Sequence, residues 1–429
     1  MDSFYSVRLV EDKCRGCTAC LKRCPVEAIR VYDGKAHILH ERCIDCGECI
    51  RTCTSHAKIA LTDNLSDIHR FAFPVALPAP TLYGQFRNST MPGEVRAALL
   101  RMGFSMVFDV ARGADLLTKA VKAQLDLADR PRPMISSACP AVTRLIQTRF
   151  PSLLDNLIPL RQPMEVAAQM ARRQAAQEYG ACPEDIGIFF ITPCPAKMTA
   201  IRKPLGHETS QVDGAVSMME VFSHIKPLLG NCPPDTGPSP FSREGLCWAA
   251  SGGEIAAVGP HNSISVDGID QVIQVLEEVE NRSIDGLDYI EALACPGGCI
   301  GGPLVYENAY LARNTLEQIR AALPESPGIA PAEQLPAEAV YFDQPLQAND
   351  SMKLHESIQG AMERLEEINR LVERLPGYDC GSCGSPTCRS FAEDIVRGLF
   401  NETDCIYVLK DTLKGLAQTM VDLAKTRRE

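Results

Sequence analysis

The 429-residue chain carries 43 basic against 54 acidic residues, a net charge of -11, which leaves no basic face to neutralise phosphates and excludes nucleic acid as the expected partner. At 45% apolar composition it can bury several cores, one per domain. No run approaches roughly 20 apolar residues free of Pro and charge, and the opening "MDSFYSVRLVEDKC" has no basic region leading into an apolar stretch, so the expectation is a cytoplasmic protein with no membrane span.

Nineteen cysteines are grouped mostly at two- to four-residue spacings, which in a large chain without an export signal points to metal ligation instead of disulfides. Sixteen fall into recognisable groups. Cys182, Cys232 and Cys247 stand alone and read as buried small hydrophobes.

Residues 1–62 hold "CRGCTACLKRCP" and "CIDCGECIRTCT", the pattern C-x2-C-x2-C-x3-C twice, 29 residues apart. Between them "AIRVYDGKAHILH" alternates about Asp33-Gly34, which predicts a tight hairpin of two short strands. In two-cluster bacterial ferredoxins the fourth cysteine of each run ligates the other cluster. By that rule Cys14, Cys17, Cys20 and Cys53 hold one 4Fe-4S cluster, and Cys43, Cys46, Cys49 and Cys24 hold a second. Thr54 stands where a proline commonly follows the final cysteine, which loosens the turn and removes no ligand. Paired zinc sites fit less well, because zinc takes four-ligand sets with no reason for an interlaced double run.

Residues 63–325 begin with "FAFPVALPAPTLYGQF", too broken by proline for a helix and expected as a connector with one strand. Beyond it "FSMVFDV", "PMISSA", "IGIFFIT" and "DYIEALA" read as strands, alternating with the helical stretches "ADLLTKAVKAQLDLAD", "PMEVAAQMARRQAAQEYG" and "IDQVIQVLEEVENR". This alternation predicts an α/β domain around a largely parallel sheet, with ligands gathered beyond the carboxyl ends of the strands. Cys139, Cys194 and Cys295 each follow such a strand, and Cys299 lies four residues past Cys295 in a glycine-rich turn. Four thiolates delivered from three segments to one sheet edge are the complement of one cubane.

Residues 326–350 are Pro-rich and weakly periodic, a tether or a linker lying along the surface. Residues 351–429 open with a charged helix, "KLHESIQGAMERLEEINRLVERL", ending at Pro376-Gly377. Cys380, Cys383, Cys388 and Cys405 follow as C-x2-C-x4-C-x16-C, a fourth cubane site, with a structural zinc as the alternative. The last helix places Leu409, Leu413, Leu416, Met420 and Leu423 on one side. That side either packs on its own domain or docks a partner, a second copy included.

Over most of the chain these residues resemble the FeFe-hydrogenases. In that family a two-cluster ferredoxin module precedes a catalytic domain with three signatures, approximately TSCCP, MPCxxKxxE and ExMxCxxGCxxGG; here they stand as "SSACP", "TPCPAKMTA" and "EALACPGGCIGG". The resemblance implies an α/β hydrogenase catalytic domain between an α+β ferredoxin-like two-cluster module and a small helical iron-sulfur module. It implies that Cys139, Cys194, Cys295 and Cys299 hold the 4Fe-4S part of the H-cluster. Cys299 would also bridge to a di-iron centre carrying CO, cyanide and a dithiolate, and Lys197 would hydrogen-bond a cyanide. The departures are as specific. The family's proton-relaying cysteine is Ala138 here, whose methyl group neither donates nor accepts a proton. Thr192 and Leu293 replace methionines, and Ala200 stands where an acid closes the second signature. Such substitutions, and the terminal cysteine array, resemble sensory branches of the family.

The expected function is therefore a ferredoxin-linked oxidoreductase that interconverts H2 with protons and electrons, slowly and in a sensory or regulatory role, passing electrons or a signal to a partner protein. With Ala138 in place, protons need another route, for which Glu165, Glu254, Ser137 and Cys247 are the candidates. Two other readings remain: an electron-transfer or scaffold protein with ordinary cubanes and no di-iron centre, and an iron-sulfur assembly factor that keeps the fold.

Overall fold

The computed structural model describes residues 4–87, 91–230, 242–259, 261–323 and 335–426. By internal packing the chain divides into two compact units: Arg8–Cys43, Glu48–Ile59 and Asp350–Glu429 form one, and Met1–Val7, Ile44–Gly47 and Ala60–Asn349 the other. Among the described residues no helix is long and apolar enough to cross a membrane.

In the smaller unit each cysteine run wraps a short helix, Ala19–Lys22 in the first and Glu48–Thr52 in the second. Strand β1 (Val7–Leu9) pairs with β4 (Lys58–Ala60), and β2 (Ile29–Tyr32) with β3 (Lys35–Ile38). The β2–β3 ladder is antiparallel and closes on Asp33 and Gly34, both at positive φ, as the hairpin reading requires. The rest of this unit is helical: Ile358–Arg374, capped by Ser357, then Cys388–Val396, capped by Thr387, and Ile406–Thr426. Ile368, Leu371, Leu375, Phe391 and Cys405 make its small core.

Residues 1–62 and 351–429, expected as separate modules, both contribute to this unit. Each cysteine-rich stretch covers polar groups of the other. Arg30 of β2 is 1% exposed and donates from Nε and Nη2 to Asp394 at 2.5 and 2.9 Å. Ser385 donates to the same carboxylate, and Ser390 to Glu27 Oε2, each at 2.5 Å. Val31 N donates to Gly384 O at 2.9 Å. Gly384 sits at φ 91° with Val31 O only 2.0 Å from where a Cβ would stand, so no other residue fits.

The larger unit contains two parallel sheets where one was expected. β5 (Phe73–Pro78), β6 (Met106–Val107), β8 (Ile186–Thr192) and β9 (Gly214–Ser217) form one in the order β6-β5-β8-β9; β7 (Met134–Ile135), β10 (Ser263–Asp267) and β11 (Tyr289–Leu293) form the other in the order β10-β11-β7. The ladders run parallel throughout both. The stretch expected as a connector with one strand supplies that strand, β5, which lies inside the sheet between β6 and β8. Its prolines lose donors but keep acceptors: Ser105 N donates to Pro74 O at 2.8 Å, and Phe108 N to Ala76 O at 2.9 Å. All seven residues of β8 are buried, as a parallel strand covered on both faces should be. Helices Val110–Leu125 and Pro163–Glu178 pack against each other beside this sheet.

Of the Pro-rich stretch, 326–334 lies outside the described residues and 335–349 lies along the larger unit. Val340 is 5% exposed and its carbonyl accepts from Arg161 N at 2.8 Å, while Phe342 N donates to Pro159 O at 2.9 Å.

Removing the Asp394 carboxylate strands a buried guanidinium, which costs about 3–5 kcal/mol. Asp394→Ala is expected to lower the unfolding free energy of the smaller unit by that amount, read from a urea denaturation curve, while Arg389→Ala, on the surface of the same helix, leaves it within error.

Candidate metal and cofactor site

Strands β7, β8 and β11 each run out into a cysteine followed by proline: Cys139-Pro140, Cys194-Pro195 and Cys295-Pro296. Pro140 and Pro195 open the helices Pro140–Arg149 and Pro195–Arg202, with Cys139 and Cys194 in the extended conformation of the caps. A sulfur at that position faces the positive end of the helix, which favours its thiolate. Thr192 shapes the second turn, donating to Cys194 O at 2.8 Å and accepting from Cys194 N at 3.1 Å. In the third turn Gly298 has φ 92°, and a Cβ there would stand 2.7 Å from Ser251 N, so glycine alone lets Cys299 fold back. The strand ends come from two sheets, Cys139 and Cys295 from β7 and β11, Cys194 from β8. They meet where the carboxyl ends of both sheets face one interior.

At the meeting point is Lys197. It is 9% exposed and its ammonium donates to Cys299 Sγ at 3.6 Å. Burial works against the charged form, yet Cys299, Cys194, Cys139 and Cys295 together hold its pKa above the ordinary lysine value. Burial pushes the Cys194 thiol up to about 11, with Lys197 pulling the other way. The four sulfurs named from the sequence thus share one neighbourhood around one ammonium. Cys139, Cys194 and Cys295 are buried and Cys299 is half-buried. A thiol this hard to ionise becomes a thiolate on binding a metal, which supplies the missing positive charge.

Cys299, Lys197 and Ala138 also line one cavity, with an empty volume of about 560 Å³. Val110, Met164, Phe190 and Trp248 make its walls apolar, and Leu293 stands where the family has a methionine. Glu254 is the carboxylate among its lining residues. It is 3% exposed and accepts from Tyr289 Oη at 2.5 Å and from Ser136 Oγ at 2.8 Å; Ser136 Oγ in turn accepts from Ala138 N at 3.2 Å. Glu291, fully buried in β11, receives Gly252 N and Ile255 N, both at 3.0 Å. Burial raises the pKa of both carboxyls well above the usual range, and the charge of Glu254 adds to the rise at Glu291.

The other proton candidates fare differently. Ser137 donates to Leu160 O at 2.7 Å and lines a second, smaller cavity with Ser136, Arg161, Glu254 and Tyr289. Glu165 is committed elsewhere, accepting from Ser210 Oγ at 2.6 Å and Gln211 N at 2.8 Å. Cys247 is half-buried beside Arg320. Sequence reasoning missed Ser136, Tyr289 and Glu291, although a glutamate inside the apolar run "YIEALA" was a legible sign of a buried polar role. Of the lone cysteines, Cys182 is exposed, not buried, because it lies in the turn between Glu178 and β8; Cys232 lies outside the described residues.

Two of the remaining arrays gather as well, the first ferredoxin-type set and the C-terminal one. The Cys20 thiol is raised by burial, and the charges of Cys53, Cys14 and Cys17 add to that, so the interlaced first set is drawn together. Cys20, Cys49 and Cys53 are buried, Cys14, Cys24, Cys43 and Cys46 half-buried, and Cys17 exposed. Cys380, Cys383, Cys388 and Cys405 line a single cavity with an empty volume of about 320 Å³. In the larger unit Asp45, fully buried, accepts from Val7 N at 2.8 Å and from Thr199 Oγ1 at 2.9 Å, and Gly47 lies against Pro195 and Pro303. The residue beside Cys46 is thereby bonded to the helix that begins after Cys194.

Comparison with known proteins agrees with this geometry. Residues 73–262 and 254–303 match the family described as "Iron only hydrogenase large subunit, C-terminal domain"; residues 6–54 match a 4Fe-4S dicluster domain and residues 375–407 an Fe-S cluster family. The chain is 22% identical over 258 residues to iron hydrogenase 1 of Clostridium pasteurianum, covering 49% of this chain and 45% of that one. It is 22% identical over 367 residues to the NADP-reducing hydrogenase subunit HndD of Solidesulfovibrio fructosivorans, covering 68% and 63%. It is also 23% identical over 269 residues to cytosolic iron-sulfur assembly component 3 of Bos taurus, covering 49% and 56%. The chain thus spans about half to somewhat under two thirds of the length of these relatives. In fold it resembles a variant of [FeFe]-hydrogenase HydA1 from Chlamydomonas reinhardtii, with a TM-score of 0.52 and 16% identity, covering 66% of this chain and 98% of that one. With the catalytic-domain match alone spanning more than half of its residues, the chain belongs to the iron-only hydrogenase family.

Proposed function

We propose that this iron-sulfur protein reacts with H2, interconverting it with two protons and two electrons at low turnover, and that it serves as a sensor or regulator. The observation that carries this reading is the buried Lys197 ammonium, set among four thiols at the wall of an apolar cavity. The donor set fits the group the family implies. Cys139, Cys194, Cys295 and Cys299 have the number and burial that one cubane requires, Cys299 also faces the cavity, and Lys197 offers a donor to an anionic ligand there. When bound, the di-iron centre supplies the H2 chemistry.

The chain's own residues do the rest. Val110, Met164, Phe190 and Trp248 keep water from the cavity, which strengthens every electrostatic contact inside it. Lys197 fixes the orientation of an anionic ligand by a charge-assisted hydrogen bond. Ala138 carries no proton, so Glu254 takes that task. Its raised pKa lets it bind and release a proton near neutrality, Ser136 and Tyr289 orient it, and it borders both the large cavity and the smaller one that reaches Arg161. A route that lacks the relay thiol is slow, which suits detection better than bulk hydrogen production.

The last helix supports a partner of defined kind. Ile406, Leu409, Leu413, Leu416, Met420 and Leu423 recur at alternating spacings of three and four, and all are 40–71% exposed. That spacing is a coiled-coil seam, with leucine at every second core position. The flanking positions Lys410, Thr412, Ala417, Thr419 and Ala424 set no like charges against each other in a parallel, in-register pair. The occupant that this pattern favours is the same helix of a second copy.

A second reading rests on Ala138 and on the likeness to the Bos taurus assembly component: a protein with ordinary cubanes and no di-iron centre, active in electron transfer or cluster assembly.

Infrared spectra decide between them. Protein matured with a di-iron precursor is expected to show CO and cyanide bands that shift under H2; absence of such bands leaves the second reading. Cys194→Ser is expected to reduce bound iron by about four atoms per chain. Glu254→Gln is expected to reduce H2 oxidation by about 10²-fold, the scale of a lost general acid-base group, with Glu254→Asp between it and the parent. Sedimentation of the full chain is expected to give a dimer that Leu413→Glu with Leu416→Glu converts to monomer, and a parent that is monomeric at every concentration removes the coiled coil.

A further inference from the structure

Lys58 opens β4 five residues after Cys53 and is 3% exposed. Its Nζ is buried and has no hydrogen-bond partner among the described residues. Lysine is almost never buried unpaired, because the ammonium gives up its hydration for nothing. Sulfur is its neighbour. Its backbone N–H and that of Ala57 both serve Cys53, the latter at 3.2 Å from Sγ. The positive charge of Lys58 is felt at Cys20, which shares its neighbourhood with Cys14, Cys17 and Cys53. A side chain with a long stem and a charged head has been turned inward, beside a group of thiols whose cluster would be anionic.

We propose that Lys58 is a potential-setting residue: its buried ammonium is the counter-charge of the cubane held by Cys14, Cys17, Cys20 and Cys53, and it raises the reduction potential of that cubane. This rests on the reading that those four cysteines hold a 4Fe-4S cluster. A cubane with four thiolates is anionic and gains one more negative charge on reduction, so a fixed positive charge at its edge stabilises the reduced state more than the oxidised one. Low dielectric around the buried ammonium keeps the effect from being screened. The thiol of Cys24, the cysteine of this run assigned to the other cluster, is raised chiefly by burial, and the carboxylate of Glu27 adds to that rise where Lys58 opposes it at Cys20. The two cubanes of the ferredoxin module are therefore unequal, and the one beside Lys58 takes up the electron first.

The test is a redox titration of the full chain, reconstituted with iron and sulfide and followed by electron paramagnetic resonance. The wave that disappears in Cys17→Ala belongs to the first cubane. In Lys58→Met that wave is expected to move to lower potential by about 59 mV or more, a tenfold fall in the reduced-to-oxidised ratio at a fixed poise for a one-electron couple. In Lys58→Arg, which keeps the charge, the ratio is expected to stay within threefold of the parent. A methionine chain with the parent's iron content and an unmoved wave overturns the proposal. If the methionine chain loses that cubane, Lys58→Gln and Lys58→Arg decide it, and equal midpoints in the two show that charge has no part. A parent chain without any wave sensitive to Cys17→Ala fails at the cluster assignment instead, a separate outcome.

Discussion

Thiolates repel one another, and a dry interior makes that repulsion expensive. The larger unit is organised around this constraint. Three strand ends deliver sulfur to one place, two of them at helix N-termini whose dipoles favour negative charge, and a single buried lysine stands among the four thiols. A metal held by the four sulfurs would relieve the rest, since it would bring positive charge that neither the helices nor the lysine can fully provide. The parallel ladders exist to aim those ends: only parallel strands put several carboxyl termini on one side, and only crossover helices can connect them.

Much of this is legible in the sequence alone. The apolar runs before Cys139 and Cys194 read as strands that end at a cysteine, and in the fold each of those cysteines caps the helix that follows its strand. The Asp33-Gly34 hairpin was legible for a local reason as well, a turn that few dipeptides can make. Long-range pairing was not legible. The stretch around β5 was expected as a connector with one strand, and the strand is there; its place in the middle of a sheet was hidden, because a missing donor usually bars proline from that position, and here the neighbours take only the carbonyls they need. The number of sheets was likewise hidden, since nothing local in β7 or β8 says that they lie in different ladders. At the site the sulfurs could be named from their spacing, whereas Ser136 and Tyr289 could not. Their task exists only because folding brings them to Glu254, more than thirty residues from Tyr289 and more than a hundred from Ser136.

The smaller unit solves a different problem. Two cysteine-rich segments far apart in sequence share a buried ion pair and a glycine fitted against a backbone carbonyl, beside a compact patch of leucine, isoleucine and phenylalanine in the second. Metal-rich modules commonly rely on their clusters for stability. Here Arg30 and Asp394 make the association specific as well, because a charge buried without its partner penalises every other arrangement.

One detail of the larger unit reaches beyond packing. Electron tunnelling between redox centres weakens exponentially with the gap between them, so a conductor needs its donor and acceptor held at a constant span while the surrounding chain vibrates. Asp45, bonded to Val7 and Thr199, is the clamp that keeps the backbone next to Cys46 in step with the helix after Cys194. A carboxylate that holds no metal thereby fixes the spacing of two cysteine-bearing turns of the larger unit, at Cys46 and Cys194.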